Sequence, residues 1–538
     1  MNTGLCKIRS VGVLDLAIKD GLLIDGSGSE GRVIDIGIKG DKIEAIGNLN
    51  ESLAEKVINA KGLVISPGFI DPHSHSEFTL LANPRGESKV MQGVTTEING
   101  NCGLSAAPLI GESREQREGD FEELGIKKRW ATFGEYFSIL ESKGLGLNFA
   151  TLAGHGNIRA SVIGYNDRHP SKEEMQKMDV LLEDALRDGA IGLSTGLCYP
   201  PGVYAAIGEI INLSKVVSKY NGIYTSHMRS EGDKLLESVE ETIRIGKEAG
   251  VPVHISHLKT SGEKNWGKID ALFDLIDGAR NKGIDITCDR YPYTASSTDL
   301  DAILPSWTYE GGMQKELERL ESLKVKESIK KEILIKHPEK EYWESVNVSS
   351  VSSQKNKWME GKSLSYISSQ INKDPVGTLF NILSEERLRV SAIFFSMNDE
   401  NLKRILKKPY TMIGSDSSAR SDNGITAKGK PHPRGFGTFP RVLGKFTRED
   451  GVLKLEESIN KMTGFPAKRF GIKKRGLIKE GYYADIVIFD PEKINDRATF
   501  EVPFHFPDGI SYVLINGMTV VEDGRVKDVL PGRVLRNG

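Results

Sequence analysis

Two styles of apolar patterning share this chain. Near its start, DLAIKDGLLIDGSG, GRVIDIGIKGDKIEAIGNL and EKVINAKGLVISPG alternate apolar and polar positions between KDG, GSGSEG and KGDK breaks. Period-two alternation between turn residues predicts short strands. The end of the chain returns to this style. ADIVIFD reads as a strand, and YVLINGMTVVEDGRV carries the NG and DG dipeptides that turn hairpins. Matching patterns at both ends predict one small β-sandwich formed from residues 1–66 and 475–538, with a long domain, 67–474, inserted between its halves.

The middle follows another rule. Apolar runs that read as buried strands recur at 64–71, 93–100, 147–155, 190–196, 222–228, 251–257, 283–289 and 411–416. Between them lie helical patterns such as EEMQKMDVLLEDALRDG, DKLLESVEETIRIGKEAG and WGKIDALFDLIDGARNKG, each with an apolar stripe and a closing Gly. Strands alternating with helices predict an α/β fold, a (β/α)8 TIM-like barrel. More than 120 residues separate the last two strand ranges. Their polar, Lys/Glu-rich part, about 300–370, predicts an inserted helical lid over the barrel mouth.

Composition narrows the class. Over 538 residues, 72 Lys and Arg against 74 Asp and Glu give a formal net charge of −2. That balance offers no electrostatic footprint for nucleic acid or an anionic membrane. No window supplies the roughly 18 uninterrupted apolar residues of a membrane helix. Asp15, Lys19 and Asp20 interrupt any signal-peptide core. The expectation is a cytoplasmic enzyme with a small-molecule substrate, with a homo-oligomer left open. The cysteines, Cys6, Cys102, Cys198 and Cys288, form no CxxC pair. Cys6, Cys198 and Cys288 read as structural.

The polar chemistry collects where such a barrel keeps its active site, at the C-terminal ends of its strands. His73 and His75 close the first strand, Cys102 follows the second and His155 ends the third. His227 ends the fifth, His257 the sixth and Asp416 the eighth. Side chains two apart on a strand share a face, so His73 and His75 aim into one space. A single histidine of this kind is commonly a satisfied core side chain. An HxH pair, further strand-end histidines, a cysteine and an aspartate together are a nitrogen/sulfur ligand set suited to zinc. His254, three before His257, faces the other side and reads as structural. Cys102, between Asn and Gly at the mouth, reads as a thiolate ligand rather than a buried hydrophobe. Asp416 reads as the proton carrier rather than a turn residue, because it ends the last strand.

These motifs resemble a known family. PGFIDPHSH, the split terminal β-structure and Asp416 are similar to the amidohydrolase superfamily. NCG at 101–103, STGLCYPPG at 194–202, SHMR, SHLK at 256–259, DRYPYTASST at 289–298 and HPRGFGTFPRVLG at 432–444 resemble the N-acyl-D-amino-acid deacylases, or D-aminoacylases. The resemblance implies that Cys102, His227 and His257 hold a tight zinc, and that His73 and His75 share the thiolate at a second, weaker metal position. Many relatives bridge two metals with a carboxylated lysine; the fourth strand, AIGLSTG, has none. It further implies that Lys259 with Tyr291 or Tyr293 holds the substrate's α-carboxylate. Arg290 and Arg420 are additional cations, and Tyr199 and His155 line the pocket or polarise the acyl carbonyl. A D preference is implied by the resemblance alone. Competing expectations are a cyclic-amide hydrolase of dihydroorotase or hydantoinase type and a non-catalytic scaffold on the same fold.

Overall fold

The computed structural model describes residues 13–537; residues 1–12, with the Cys6 read as structural, and residue 538 lie outside the described residues. The centre is mixed α/β. Phe69–Asp71, Val94–Asn99 and Asn148–Thr151 pair in parallel. Ala153–Gly154, Gly192–Gly196, Ile223–His227, Val253–Ile255, Ile286–Arg290 and Thr411–Ile413 form a second all-parallel sheet in chain order. A parallel bridge between Ser74 and Ser417 sets the end of the first strand beside the end of the last. Each range named from the apolar pattern holds a strand of these two sheets. Their residues are buried almost throughout, as expected for parallel strands covered by crossover helices.

The helices form where stripe and caps agree. Lys172–Asp188 starts at a capping box: Ser171 Oγ accepts from the Glu174 N–H at 3.2 Å, and Glu174 accepts from the Ser171 N–H at 2.7 Å. It buries Met178, Leu182, Ala185 and Leu186 and stops at Gly189. Leu235–Ala249 ends on Gly250 in the left-handed region, and Ile269–Asn281 buries Leu272, Phe273 and Ile276. Among the described residues no helix is long and apolar enough to cross a membrane.

The two ends of the chain meet in one sheet. Val64–Pro67 runs antiparallel to Ile486–Phe489, which pairs with Ile510–Ile515 and, through it, with Met518–Glu522. The hairpin dipeptides sit where their backbone requires them, Asn516 and Gly517 at φ 49° and 80° and Asp523 and Gly524 at 49° and 71°. A four-stranded sheet that includes Leu14–Lys19 and Asp35–Lys39 shares an apolar core with it, drawing Ile18, Ile36 and Ile65 against Ile486, Ile488 and Leu514.

Two expectations change. The apolar run 64–71 is two strands, one in the terminal sheet and one opening the parallel series. The break falls at Gly68, where a Cβ would meet Thr95 Oγ1 at 2.2 Å. The insertion is not purely helical and is not confined to 300–370. Ala295–Asp299, Val346–Val351 and Val390–Phe395 form an antiparallel sheet backed by helices including Gly312–Glu321 and Pro375–Glu385, around a core of its own containing Leu320, Trp343, Val348 and Leu379. Its strands, ASSTD and VNVSSV, carry Ser, Thr and Asn where an apolar run would have marked them.

Candidate metal centre and cavity

The strand ends deliver their donors to one point. Cys102 Sγ lies 3.3 Å from His73 Nε2 and 3.5 Å from His257 Nε2. His73, Cys102, His257 and Asp416 each offer an atom within 4.8 Å of the others, and His227, Glu231 and His257 form an adjoining group. His75 Nε2 is 3.3 Å and His73 Nε2 3.4 Å from Asp416 Oδ1. His227 packs edge-on to His257, with ring centroids 4.4 Å apart, and its buried Nδ1 has no partner. Cys102, His257 and Asp416 all take positive φ, at 54°, 36° and 50°. Non-glycine residues rarely adopt this region, and such strain collects at functional sites. Gly103 permits the tight turn beside Cys102, since a Cβ there would meet the Gly196 amide nitrogen at 2.6 Å.

A layer behind the donors fixes their rings. Asp289 Oδ2 is 3.1 Å from His73 Nδ1 and 2.8 Å from His254 Nε2, and Oδ1 accepts from the His257 N–H at 2.9 Å. With Nδ1 so engaged, His73 presents Nε2 to the centre. His254 stands outside the donor groups, yet it holds the carboxylate that orients His73. Glu231 accepts from Lys259, and its Oε1 lies 2.7 Å from His257 Nδ1. Beneath both, Lys89 Nζ is fully buried. It touches Asp71 Oδ2 at 2.7 Å, Glu97 Oε1 at 2.8 Å, Ser74 Oγ at 2.6 Å, Ser415 Oγ at 2.8 Å and the Ser417 carbonyl at 2.9 Å. This one cation ties the first, second and last strand ends together.

The fields follow. Burial opposes ionisation of the Cys102 thiol, but His73 and the hydrogen bonds of the three imidazoles hold it well below its ordinary value. Burial likewise opposes ionisation of Asp416, and Arg434, His73 and His257 outweigh it. Arg434 Nη1 stands 2.8 Å from Asp416 Oδ2, an ion-pair distance without hydrogen-bond alignment. Against burial, the hydrogen bonds of Asp416 and Cys102 raise His75 to about 9. The donor set and the orphaned nitrogen of His227 fit a zinc ion.

Above this floor opens a cavity of about 1560 Å³. His75, Cys102, His227, His257, Lys259, Tyr291, Tyr199, Arg420 and Asp416 line it. Tyr291, with its hydroxyl unpartnered, lies under the cations of Arg290, Arg434 and Lys259, at 4.3, 4.6 and 5.8 Å from its ring. Three residues expected at the pocket stand apart from its lining. His155 turns into the core, its Nε2 2.7 Å from Glu209. Arg290 is buried behind Tyr291 and donates to the Tyr293 carbonyl at 2.8 Å. Tyr293 donates its hydroxyl to Asp496 at 3.3 Å. Asp289, Glu231, Arg434 and Lys89 escaped the sequence reading. For Asp289 its place at a strand end, and for Arg434 its place in HPRGFGTFPRVLG, were available signals; nothing local marks Glu231 or Lys89.

Residues 56–281 and 370–521 match the amidohydrolase family. The chain is 36% identical over 523 residues to a D-aminoacylase of Alcaligenes xylosoxydans xylosoxydans, covering 97% of each. It superposes with a TM-score of 0.82 on N-acyl-D-glutamate deacylase from Bordetella bronchiseptica, complexed with zinc and a phosphonate mimic of the reaction tetrahedral intermediate, at 33% identity over 97% of this chain and 99% of that one. A D-aminoacylase described as having a binuclear metal centre gives 0.82 at 35% identity, covering 97% of this chain and all 100% of its own.

Proposed function

The chain belongs to the amidohydrolase family, and on that premise we propose that it is a zinc-dependent hydrolase of N-acyl-D-amino acids, releasing a carboxylate and a free D-amino acid. The observation that carries this reading is the convergence of His73, Cys102, His257 and Asp416 within 4.8 Å on the cavity floor. The zinc of the Bordetella deacylase and the names of the relatives support the metal and the D configuration. Cys102, His227 and His257 would hold the tight zinc, and His73 and His75, with the thiolate, a second weaker one. When bound, zinc lowers the pKa of a water toward about 7 and polarises the acyl oxygen.

The chain's own groups do the rest. Asp416, kept ionised by Arg434, takes the proton of the attacking water and passes it to the leaving nitrogen. Lys259, Tyr291 and Arg434 hold the substrate's α-carboxylate and so orient the amide. Tyr199, whose ring centroid is 4.8 Å from that of His227, would donate to the developing oxyanion. Arg420 lines the same cavity as a further cation for the substrate. In architecture, the two parallel sheets would close through the Ser74–Ser417 bridge into a (β/α)8 barrel spanning 67–474. The terminal sheets would be its β-sandwich, and the inserted sheet and helices its lid.

The test is free-amine release from matched N-acetyl-D- and N-acetyl-L-amino acids, with metal content measured on the same preparation. Cleavage of the D series by zinc-loaded protein is expected. A zinc-loaded protein inert to both series would move the reading to cyclic amides.

A further inference from the structure

The cavity extends well past the metal centre. Beyond Cys198 and Tyr199 it reaches the inserted segment, where Ile303, Tyr309, Asp301 and Glu316 face it. Glu316, on the helix Gly312–Glu321, is only 4% exposed, and its Oε1 is buried with no hydrogen-bond partner. Asp301 is half-buried beside it. Among the described residues neither carboxylate forms an ion pair. Others around the same cavity do: Asp120 with Arg117 at 3.0 Å, Glu123 with Lys428 at 3.2 Å and Glu231 with His257 at 2.7 Å. The nearest cation to Glu316, Arg319, spends its guanidinium on the carbonyls of Thr308, at 3.0 Å, and Glu310.

Carboxylates drawn out of water need a cation or a full set of donors. These have neither. Burial, with Asp299 nearby, raises Asp301 to about 8, and burial, with Asp301 nearby, raises Glu316 to about 9. At neutral pH both therefore hold their protons, and a ligand that brings positive charge into this arm lowers both values and pairs with the carboxylates that form. Tyr291, at the proposed α-carboxylate site, and Asp301 lie on one stretch of chain leaving the strand Ile286–Arg290. The α-carboxylate and the side chain branch from the same carbon, and Tyr291, Asp301 and Glu316 line one cavity, so a long side chain can extend from the carboxylate site toward this arm.

We propose that Asp301 and Glu316 form a subsite for a cationic side chain, so that the preferred substrates are N-acyl-D-amino acids ending in an ammonium or guanidinium group. The proposal rests on the deacylase reading above and names its substrate class. Asp301 and Glu316 act on specificity, not on the bond cleaved.

The test compares kcat/KM for N-acetyl-D-lysine and N-acetyl-D-arginine with N-acetyl-D-norleucine and N-acetyl-D-glutamate. N-(aminohexanoyl)-D-alanine against N-hexanoyl-D-alanine controls for an amine on the acyl side. Lysine and arginine should exceed norleucine by roughly 10-fold or more, with glutamate poorest. Glu316→Gln and Asp301→Asn should each draw the lysine-to-norleucine ratio toward unity, mainly through KM. Parity of lysine and norleucine, a preference for glutamate, or a preference that follows the acyl amine overturns the subsite. The wild-type panel decides this even where a variant fails to fold. Cleavage of norleucine without any lysine preference defeats the subsite alone; no cleavage of any D substrate defeats it together with the deacylase reading.

Discussion

The floor and the far arm of the cavity are built on opposite terms. On the floor, charges are met by the protein's own atoms. Lys89 touches five acceptors, and the Asp289 carboxylate contacts two imidazoles and a backbone N–H. In the arm, Asp301 and Glu316 have no cation at ion-pair distance among the described residues, and one Glu316 oxygen has no bond. A group completed within the chain holds a geometry whether or not substrate is present. A group left incomplete is at its best only when something binds. The floor should therefore punish substitution severely and the arm mildly and selectively.

The largest effect belongs to the proton carrier. Asp416→Asn should lower turnover by about 10²–10⁴-fold while zinc stays bound, and near-normal activity in a metal-replete variant would remove its role. Cys102→Ser should cost zinc content on the same preparation, as read by metal analysis. Next is Lys89→Met, which strands Asp71 and Glu97 in a dry interior. A loss of about 3–5 kcal/mol in urea unfolding is expected, and a fully stable variant would mean that the cluster is not a counted charge balance. Asp289→Asn should weaken zinc binding by roughly 10–100-fold in chelator competition, because His73 loses the partner that fixes its ring.

The arm has the smallest effect on turnover, and its signal lies in pH. Asp301 and Glu316 are raised from ordinary values of 3.8 and 4.5 to about 8 and about 9. A folded-state value above the unfolded one means that the native state binds more protons between the two, so stability falls as pH rises. Their contribution should be fully present below about pH 4 and lost progressively up to about pH 9. Thermal unfolding across that range should flatten in Glu316→Gln. An unchanged slope would show that the arm's carboxyls titrate normally.

Much of the scaffold was legible because its signals are local. Period-two runs at the ends, short apolar runs in the middle, Gly and Ser caps, and NG and DG turns each act over a few residues. The insertion's strands ASSTD and VNVSSV were not, since Ser, Thr and Asn break any apolar run: ASSTD buries only Ala295, and VNVSSV reaches the insertion's core through Val346, Val348 and Val351. His155 misled for a related reason. It ends its strand as the other histidines do, but the helix His155–Ile163 begins there and turns the ring to Glu209.

What the amino-acid sequence determined by itself is which residues stand at strand ends, because side-chain alternation along a strand is a backbone property. His73, His75, Cys102, His227, His257 and Asp416 could be named on that ground. Which partners complete them was decided only by the tertiary structure. Asp289 reaches His73 across 216 positions, and Lys89 reaches Ser415 across 326. No periodicity encodes such distances. They exist because adjacent strand ends bring remote carboxylates, hydroxyls and one lysine into the same dry space, where each charge must find its opposite.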